Sequence, residues 1–247
     1  MPVSGVQALL EMLTHAGVER IFGNPGTTEL PLMDALVADR RIQYMLGLQE
    51  VPVVAMADGY AQASRKLGVV NLHISCGLGN GMGMLYNAYR AGTPLLVTAG
   101  QQDRRLKAEE PILWSDMVAV ARPWTKWSVE VERLADLPLI LRRAIQTALT
   151  PPTGPVFLSL PIDLQMETGE LDLTPAPRLD HRVRPPLEAL ERAADLLAQA
   201  RNPAILSGSR VVEADAMAEV VAVAERLGAP VFTESGTTHG RLGFPSD

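Results

Sequence analysis

Apolar residues along this chain fall into two alternating rhythms. From Val6 the apolar positions Val6, Leu9, Leu10 and Leu13 recur at the spacing of one helix face, with Ser4 placed to cap that helix and Gly17 to end it. Glu19 to Phe22 then reads as a short strand, Gly23 to Thr28 as a turn, Leu30 to Ala38 as a helix and Ile42 to Leu46 as a strand. The order repeats with a helix from Glu50 to Ser64, an apolar strand from Val69 to Ile74, a helix from Gly79 to Tyr89 and a buried strand from Pro94 to Thr98. Gln101 to Trp127 keeps neither period and reads as irregular, before a helix around Ala135 to Leu149 and a strand at Val156 to Leu160. Strands alternating with helices predict βαβ units and a mostly parallel sheet covered on both faces. Ligands of such sheets bind at the carboxyl ends of the strands. The segments after Phe22, after Leu48 and after Leu72 all lie at such ends, so one site could gather them.

Residues 1–170 are expected to form the first domain. Leu171 to Pro186 carries Pro175, Pro177, Pro185 and Pro186 among few apolar anchors and reads as an exposed linker, 171–186. A second α/β unit follows over 187–247: a helix from Leu187 to Ala200, a strand at Ala204 to Ser207, a helix from Ala214 to Leu227, a strand at Val231 to Thr233 and a loop-like Phe244 to Asp247. So few elements cannot bury an independent doubly wound core, so this unit is expected to be incomplete and the chain to be part of something longer.

Composition narrows the classes. The 247 residues are 47% hydrophobic and 20% charged, an ordinary globular balance. A net charge of -6 argues against a nucleic-acid or anionic-membrane partner, and Arg40-Arg41 and Arg104-Arg105 read as solvated loop charges. No apolar run approaches the ~18 residues of a membrane span, and the start lacks a secretory leader, so a cytoplasmic location is expected. The single cysteine, Cys76, has no intramolecular partner and reads as a small buried residue in a glycine-rich turn; no Cys and His spacing suggests zinc.

Glu50 is the most informative side chain. It is a lone acid where a strand pattern gives way to a helix pattern, followed by Val51, Val53, Val54, Ala55 and Met56. A helix-start acid that merely complements the dipole contributes about 0.3 to 1 kcal/mol. A carboxylate in apolar company needs a partner or a proton. The glycine-rich run Gly77-Leu78-Gly79-Asn80-Gly81-Met82-Gly83 gives no strict G-x-G-x-x-G, and the chain has neither a G-x-x-x-x-G-K-[ST] loop nor a G-x-S-x-G elbow.

Val18-Glu19-Arg20-Ile21-Phe22-Gly23-Asn24-Pro25-Gly26, Gln49-Glu50, Ala57-Asp58-Gly59-Tyr60-Ala61, Asn87-Ala88-Tyr89, Pro94 to Gln101 and Gly154-Pro155-Val156 occur in an order that resembles a known group. It is that of the thiamine-diphosphate-dependent 2-keto acid decarboxylases and acetolactate synthases. Within it, Gly23 to Gly26, Asn71-Leu72-His73 and Ala99-Gly100-Gln101-Gln102 look most like benzoylformate decarboxylases, whereas acetolactate synthases usually have no histidine at the position of His73.

The resemblance implies a thiamine-diphosphate-binding fold, with residues 1–170 as the pyrimidine-binding domain and 187–247 as the beginning of a Rossmann-like central domain. It implies that Glu50 hydrogen-bonds the cofactor's aminopyrimidine, a task suited to an elevated or well-partnered pKa. His73 would orient substrate or assist proton transfer. Thr27 stands where the resembling enzymes have a serine near the substrate carboxylate, and Thr28 where they have an asparagine. Pro25, Gly26 and Asn80 would shape the aminopyrimidine pocket. The implied activity is non-oxidative decarboxylation of a benzoylformate-like 2-keto acid to an aldehyde and carbon dioxide; the alternatives are an acetolactate-synthase-like carboligation and a non-catalytic split subunit. The family anchors diphosphate and Mg²⁺ through a Gly-Asp-Gly motif and a downstream asparagine on a separate domain. This chain contains no Gly-Asp-Gly, so the metal ligands are expected outside it, in a homodimer or homotetramer with sites between subunits. His15, His181 and His239 read as structural or surface residues, and Trp114, Trp124 and Trp127 as packing for the long loop.

Overall fold

The computed structural model describes residues 2–175, 177, 184–208 and 210–233. The chain divides into two compact units, 1–178 and 179–247. The first unit runs β1 (Val3–Ser4), α1 (Gly5–His15), β2 (Arg20–Gly23), α2 (Leu30–Ala38), β3 (Gln43–Leu46), α3 (Glu50–Ser64), β4 (Gly68–His73), α4 (Ile74–Ala91), β5 (Leu95–Gln101), α5 (Met117–Ala121), β6 (Trp127–Glu130), α6 (Leu137–Leu149), β7 (Val156–Pro161), α7 (Ile162–Met166) and β8 (Thr168–Gly169).

Six of these strands form one sheet in the order β3-β2-β4-β5-β7-β6, and every pairing is parallel. The chain builds outward from β2 to β3, then returns to place β4 on the other side of β2. That reversal opens a crevice at the carboxyl ends of β2 and β4, where open α/β sheets take their ligands.

The expected βαβ alternation is thus present, and burial explains it. Side chains alternate along each central strand: Val69, Leu96, Val156 and Leu158 pack with Leu9 and Leu13 of α1 and Leu141 of α6, while Val70, Leu72, Val97 and Phe157 pack with Val53, Val54 and Leu85 of α3 and α4. Each such side chain withdrawn from water contributes about 1.5 to 3 kcal/mol before chain entropy is counted. Ser4 caps α1 as its position suggests: its hydroxyl accepts from the Gln7 N–H, and the Gln7 side chain reaches back to the Ser4 N–H.

In the first unit the structure departs from the sequence pattern at three places. The strand read to Ile74 ends at His73, and α4 begins at Ile74 rather than Gly79, so the glycine-rich run lies inside a helix. Its helix-weakening glycines are overridden by the buried face Leu78, Gly81, Leu85 and Ala88. The stretch read as irregular holds α5 and ends in edge strand β6, whose residues are all half-buried and so lack a clean alternation. Finally, β1 and β8 pair as a small antiparallel ladder, two short segments with too few residues to show a period.

The second unit contains α8 (Leu187–Gln199), β9 (Ile205–Ser207), α9 (Arg210–Glu213), α10 (Met217–Leu227) and β10 (Val231–Thr233), with β9 and β10 paired in parallel. The helix read from Ala214 begins at Met217. His181, His239 and the segment from Phe244 lie outside the described residues. Among the described residues no helix is long and apolar enough to cross a membrane.

Candidate active site

Glu50 is the first residue of α3, just past the end of β3, and is 7% exposed. Gln49 caps the helix by accepting from the Val51 N–H at 2.7 Å. The Glu50 carboxylate therefore faces the crevice with two amide donors: Asn24 Nδ2 to Oε1 at 2.9 Å and Asn80 Nδ2 to Oε2 at 3.0 Å. Asn24 follows β2, and its backbone N–H bonds to the Asn71 carbonyl of β4 at 3.2 Å, fixing the turn from which it reaches. Asn80 comes from α4.

Burial is the largest single influence on Glu50 and raises its pKa. The Asn80 amide, the residue's own backbone N–H, the Asn24 amide and the electrostatic influence of His73 together outweigh it and hold the carboxyl below the ordinary 4.5. The group is well partnered, as its setting demands, and ionised at neutral pH. Of the two properties expected to suit the task, partnering is present and pKa elevation is not.

A second carboxylate, absent from the sequence-derived candidates, lies beside it. Glu29 ends the single 3₁₀ turn Thr27–Glu29 and is 1% exposed. Its Oε1 accepts from the Gly100 N–H at 2.7 Å and the Thr28 hydroxyl at 2.9 Å, and its Oε2 from the Gly26 N–H at 2.8 Å. His73 Nδ1 lies 2.9 Å from Oε2 and 3.0 Å from Thr28 Oγ1. With the Thr28 hydroxyl directed at Glu29 Oε1, the hydrogen-bond pattern assigns the ring proton to Nδ1, which donates to Glu29 Oε2. In the neutral ring Nε2 then holds the free electron pair, and among the described residues it has no hydrogen-bond partner. A Cβ at Gly26 would run into the His73 ring, so the turn and the imidazole are in direct contact.

The structure thus brings together Glu50, Asn80, Gly26 and His73, with Pro25 in the turn between Asn24 and Gly26. Thr27 is exposed and makes no side-chain hydrogen bond among the described residues; its neighbour Thr28 is the one that touches His73. Glu29 escaped sequence reading; Asn24, Thr28 and Gly100 lie at positions it had singled out, but their bonds to Glu50, His73 and Glu29 were not foreseen. Glu29 carried one local signal, its capping spacing after Gly26, but its bond to a histidine 44 residues away carried none.

The loop after β5 is fastened over the same end of the sheet. Gln101 Nε2 donates to the Ser115 carbonyl at 2.8 Å and to Glu130 at 3.0 Å, and the Ser115 hydroxyl meets that of Ser75 in the first turn of α4. Arg104, read as a solvated charge, is instead bound to Asp163 at 2.7 Å, Glu167 at 2.6 Å and the Glu132 carbonyl at 2.6 Å, because the loop folds back onto α7. Arg41 joins Asp39 and Glu11 at the surface. Cys76, expected to be buried, is exposed on α4 because the turn it was assigned to is helical. Trp124 packs edge-on against Tyr86 at 4.7 Å, Trp127 lies under the Arg143 guanidinium, and the Trp114 indole N–H is buried without a partner among the described residues. His15 pairs with Glu11 at the surface. Among the described residues no cluster of His, Cys, Asp or Glu could hold a metal ion.

Comparison with known proteins joins this geometry to a family. Residues 3–119 match the N-terminal TPP binding domain of thiamine pyrophosphate enzymes, and residues 190–246 match their central domain. The chain is similar to the benzoylformate decarboxylase of Pseudomonas aeruginosa, 38% identical over 242 residues that cover 97% of this chain and 45% of that protein. It is also similar to an acetolactate synthase large subunit of Buchnera aphidicola, 29% identical over 236 residues that cover 94% of this chain and 41% of that one. Among solved structures, a thiamine diphosphate-dependent 4-hydroxybenzoylformate decarboxylase of Rhodococcus jostii superposes with a TM-score of 0.86 at 34% identity, over 94% of this chain and 44% of that one. The chain spans less than half the length of these curated relatives. With two domains matched in family order and a partnered carboxylate at the switch point of a parallel sheet, this chain belongs to the thiamine pyrophosphate enzymes.

Proposed function

We propose that the chain supplies the aminopyrimidine-activating half of a thiamine-diphosphate-dependent decarboxylase acting on a benzoylformate-like 2-keto acid. The observation that carries this reading is Glu50, an ionised and buried carboxylate whose two side-chain partners are amides. The donor set fits the group. A ring nitrogen that must be kept protonated needs an acceptor shielded from water, and amides can turn aside for it. Gly77 leaves α4 bare beside the carboxylate, where a Cβ would stand 3.4 Å from Glu50 Oε1. Asn24, Pro25, Gly26 and Asn80 would line the same space.

When bound, the cofactor supplies the electron sink for loss of carbon dioxide. The chain's own contribution is narrower. Glu50 accepts from the aminopyrimidine nitrogen and favours its protonated form. His73, with Nδ1 held by Glu29, offers Nε2 to orient the substrate or pass it a proton. Thr27 offers an exposed hydroxyl to the substrate carboxylate. Magnesium, the diphosphate site and a second subunit, in a homodimer or homotetramer, complete the proposal.

In the assembled enzyme loaded with thiamine diphosphate and magnesium, Glu50→Gln is expected to lower benzoylformate turnover by about 10²-fold or more, read as steady-state aldehyde release. Undiminished turnover would remove Glu50 from the chemistry. Carboligation is the second reading, supported by similarity to an acetolactate synthase. Products from pyruvate decide between them: acetolactate without free aldehyde favours the synthase.

A further inference from the structure

The β4–α4 junction has no loop. His73 is the last residue of the strand and Ile74 the first of the helix, so a single residue turns the chain. His73 is still extended, at φ −95° and ψ 116°, while Ile74 is left-handed at φ +38°. That conformation is costly for any L-residue with a Cβ and most of all for a β-branched one. The other non-glycine residues with positive φ among the described ones are Arg65, Glu110 and Asp215, which are polar and not β-branched. The nearby glycines Gly77, Gly79, Gly81 and Gly83 could have absorbed the turn, yet all lie within α4 and none has a positive φ. The strain falls on an isoleucine instead.

Such strain persists only where the surroundings impose it. Here the Ile74 side chain is 8% exposed and sits in the core cluster of Phe22, Val53, Leu72 and Leu78. On the other side of the corner His73 pairs in register with Gly100, whose N–H donates to Glu29, so the imidazole and both ends of its carboxylate partner meet at this one turn. We propose that Ile74 is a positioning residue: its buried side chain holds the corner in a conformation the backbone would otherwise leave, and so fixes the direction in which His73 meets Glu29.

This rests on reading His73 as a site residue, but its test needs neither cofactor nor turnover. The 247-residue chain with ¹⁵N-labelled histidine is examined by long-range ¹H–¹⁵N correlation at about pH 8, where an ordinary imidazole is neutral. His73 of the native chain is expected as the Nδ1–H tautomer. Ile74→Gly, which accepts the left-handed angle freely and loses the anchor, is expected to make Nε2–H the major form. Leu78→Ala, a truncation in the same cluster, is expected to lower the thermal midpoint while leaving the His73 tautomer unchanged. A native tautomer in folded Ile74→Gly, or an equal shift in Leu78→Ala, overturns the proposal. If Ile74→Gly does not fold, Ile74→Ala is read by the same criterion, since it keeps the strain and removes the anchor. An assembled enzyme without decarboxylase activity but with the His73 shift removes the proposed reaction and leaves the role of Ile74 standing; the converse result removes only Ile74.

Discussion

Two glutamates lie at the carboxyl edge of the same sheet and are bound in opposite ways. Glu29 is fixed by groups that cannot be exchanged: two backbone N–H groups, an adjacent hydroxyl and His73. Glu50 is held by two side-chain amides, one of them on the exposed Asn80. A carboxylate fastened by backbone is an anchor, because releasing it would strand buried donors. A carboxylate held by amides can trade them for a ligand at little cost. In the proposed site the two acids would divide the work, Glu29 setting its shape and Glu50 remaining available.

The division is most exposed to Glu29→Ala. Removing that carboxylate leaves the Gly26 and Gly100 N–H groups and His73 without their acceptor, and a loss of about 3 to 5 kcal/mol in urea unfolding is expected. A loss below about 1 kcal/mol would mean that Glu29 is not an anchor.

Acid separates the two more finely. The Glu50 pKa is lower in the folded chain than its ordinary 4.5, so its contribution is fully present above the unfolded value and disappears as pH falls through the folded one. The stability difference between the native chain and Glu50→Gln, about 1 kcal/mol for a partnered group, should therefore hold from neutral pH down to about 4.5 and shrink below it. A difference that grows on acidification would show a raised pKa and reverse the assignment.

The smallest effect is expected from Asn80→Ala. Water can replace an amide at an exposed position, so stability should change by about 0.5 kcal/mol or less. The Glu50 pKa, followed by carboxyl NMR, should rise toward its ordinary value as a lowering partner is lost. A large destabilisation would make Asn80 a structural anchor and blur the comparison.

Much of the fold was legible beforehand because helices and parallel strands imprint their own periods. α1, α3, α6 and the buried strands β4, β5 and β7 follow directly from the spacing of apolar residues. Short or half-buried pieces such as β1, β6 and β8 escaped, since they have too few residues or too even an exposure to leave a period. The site was half legible. Glu50 stood out as an acid in apolar company, and His73 as a histidine at a strand end.

What the chain could not announce is how these residues are paired. Asn24 reaches Glu50 across 26 positions, Asn80 across 30, His73 meets Glu29 across 44, and Gly100 reaches Glu29 across 71. Those contacts depend on β4 crossing back to lie between β2 and β5 and on the register that sets His73 opposite Gly100. The sequence by itself determined the layered α/β architecture and the presence of a carboxylate in need of a partner, because period and burial are local consequences of backbone geometry. Only the tertiary structure decided that there are two carboxylates, that one is locked and one is available, and that an isoleucine turns the corner between them, because strand order and register bring distant donors within hydrogen-bonding reach.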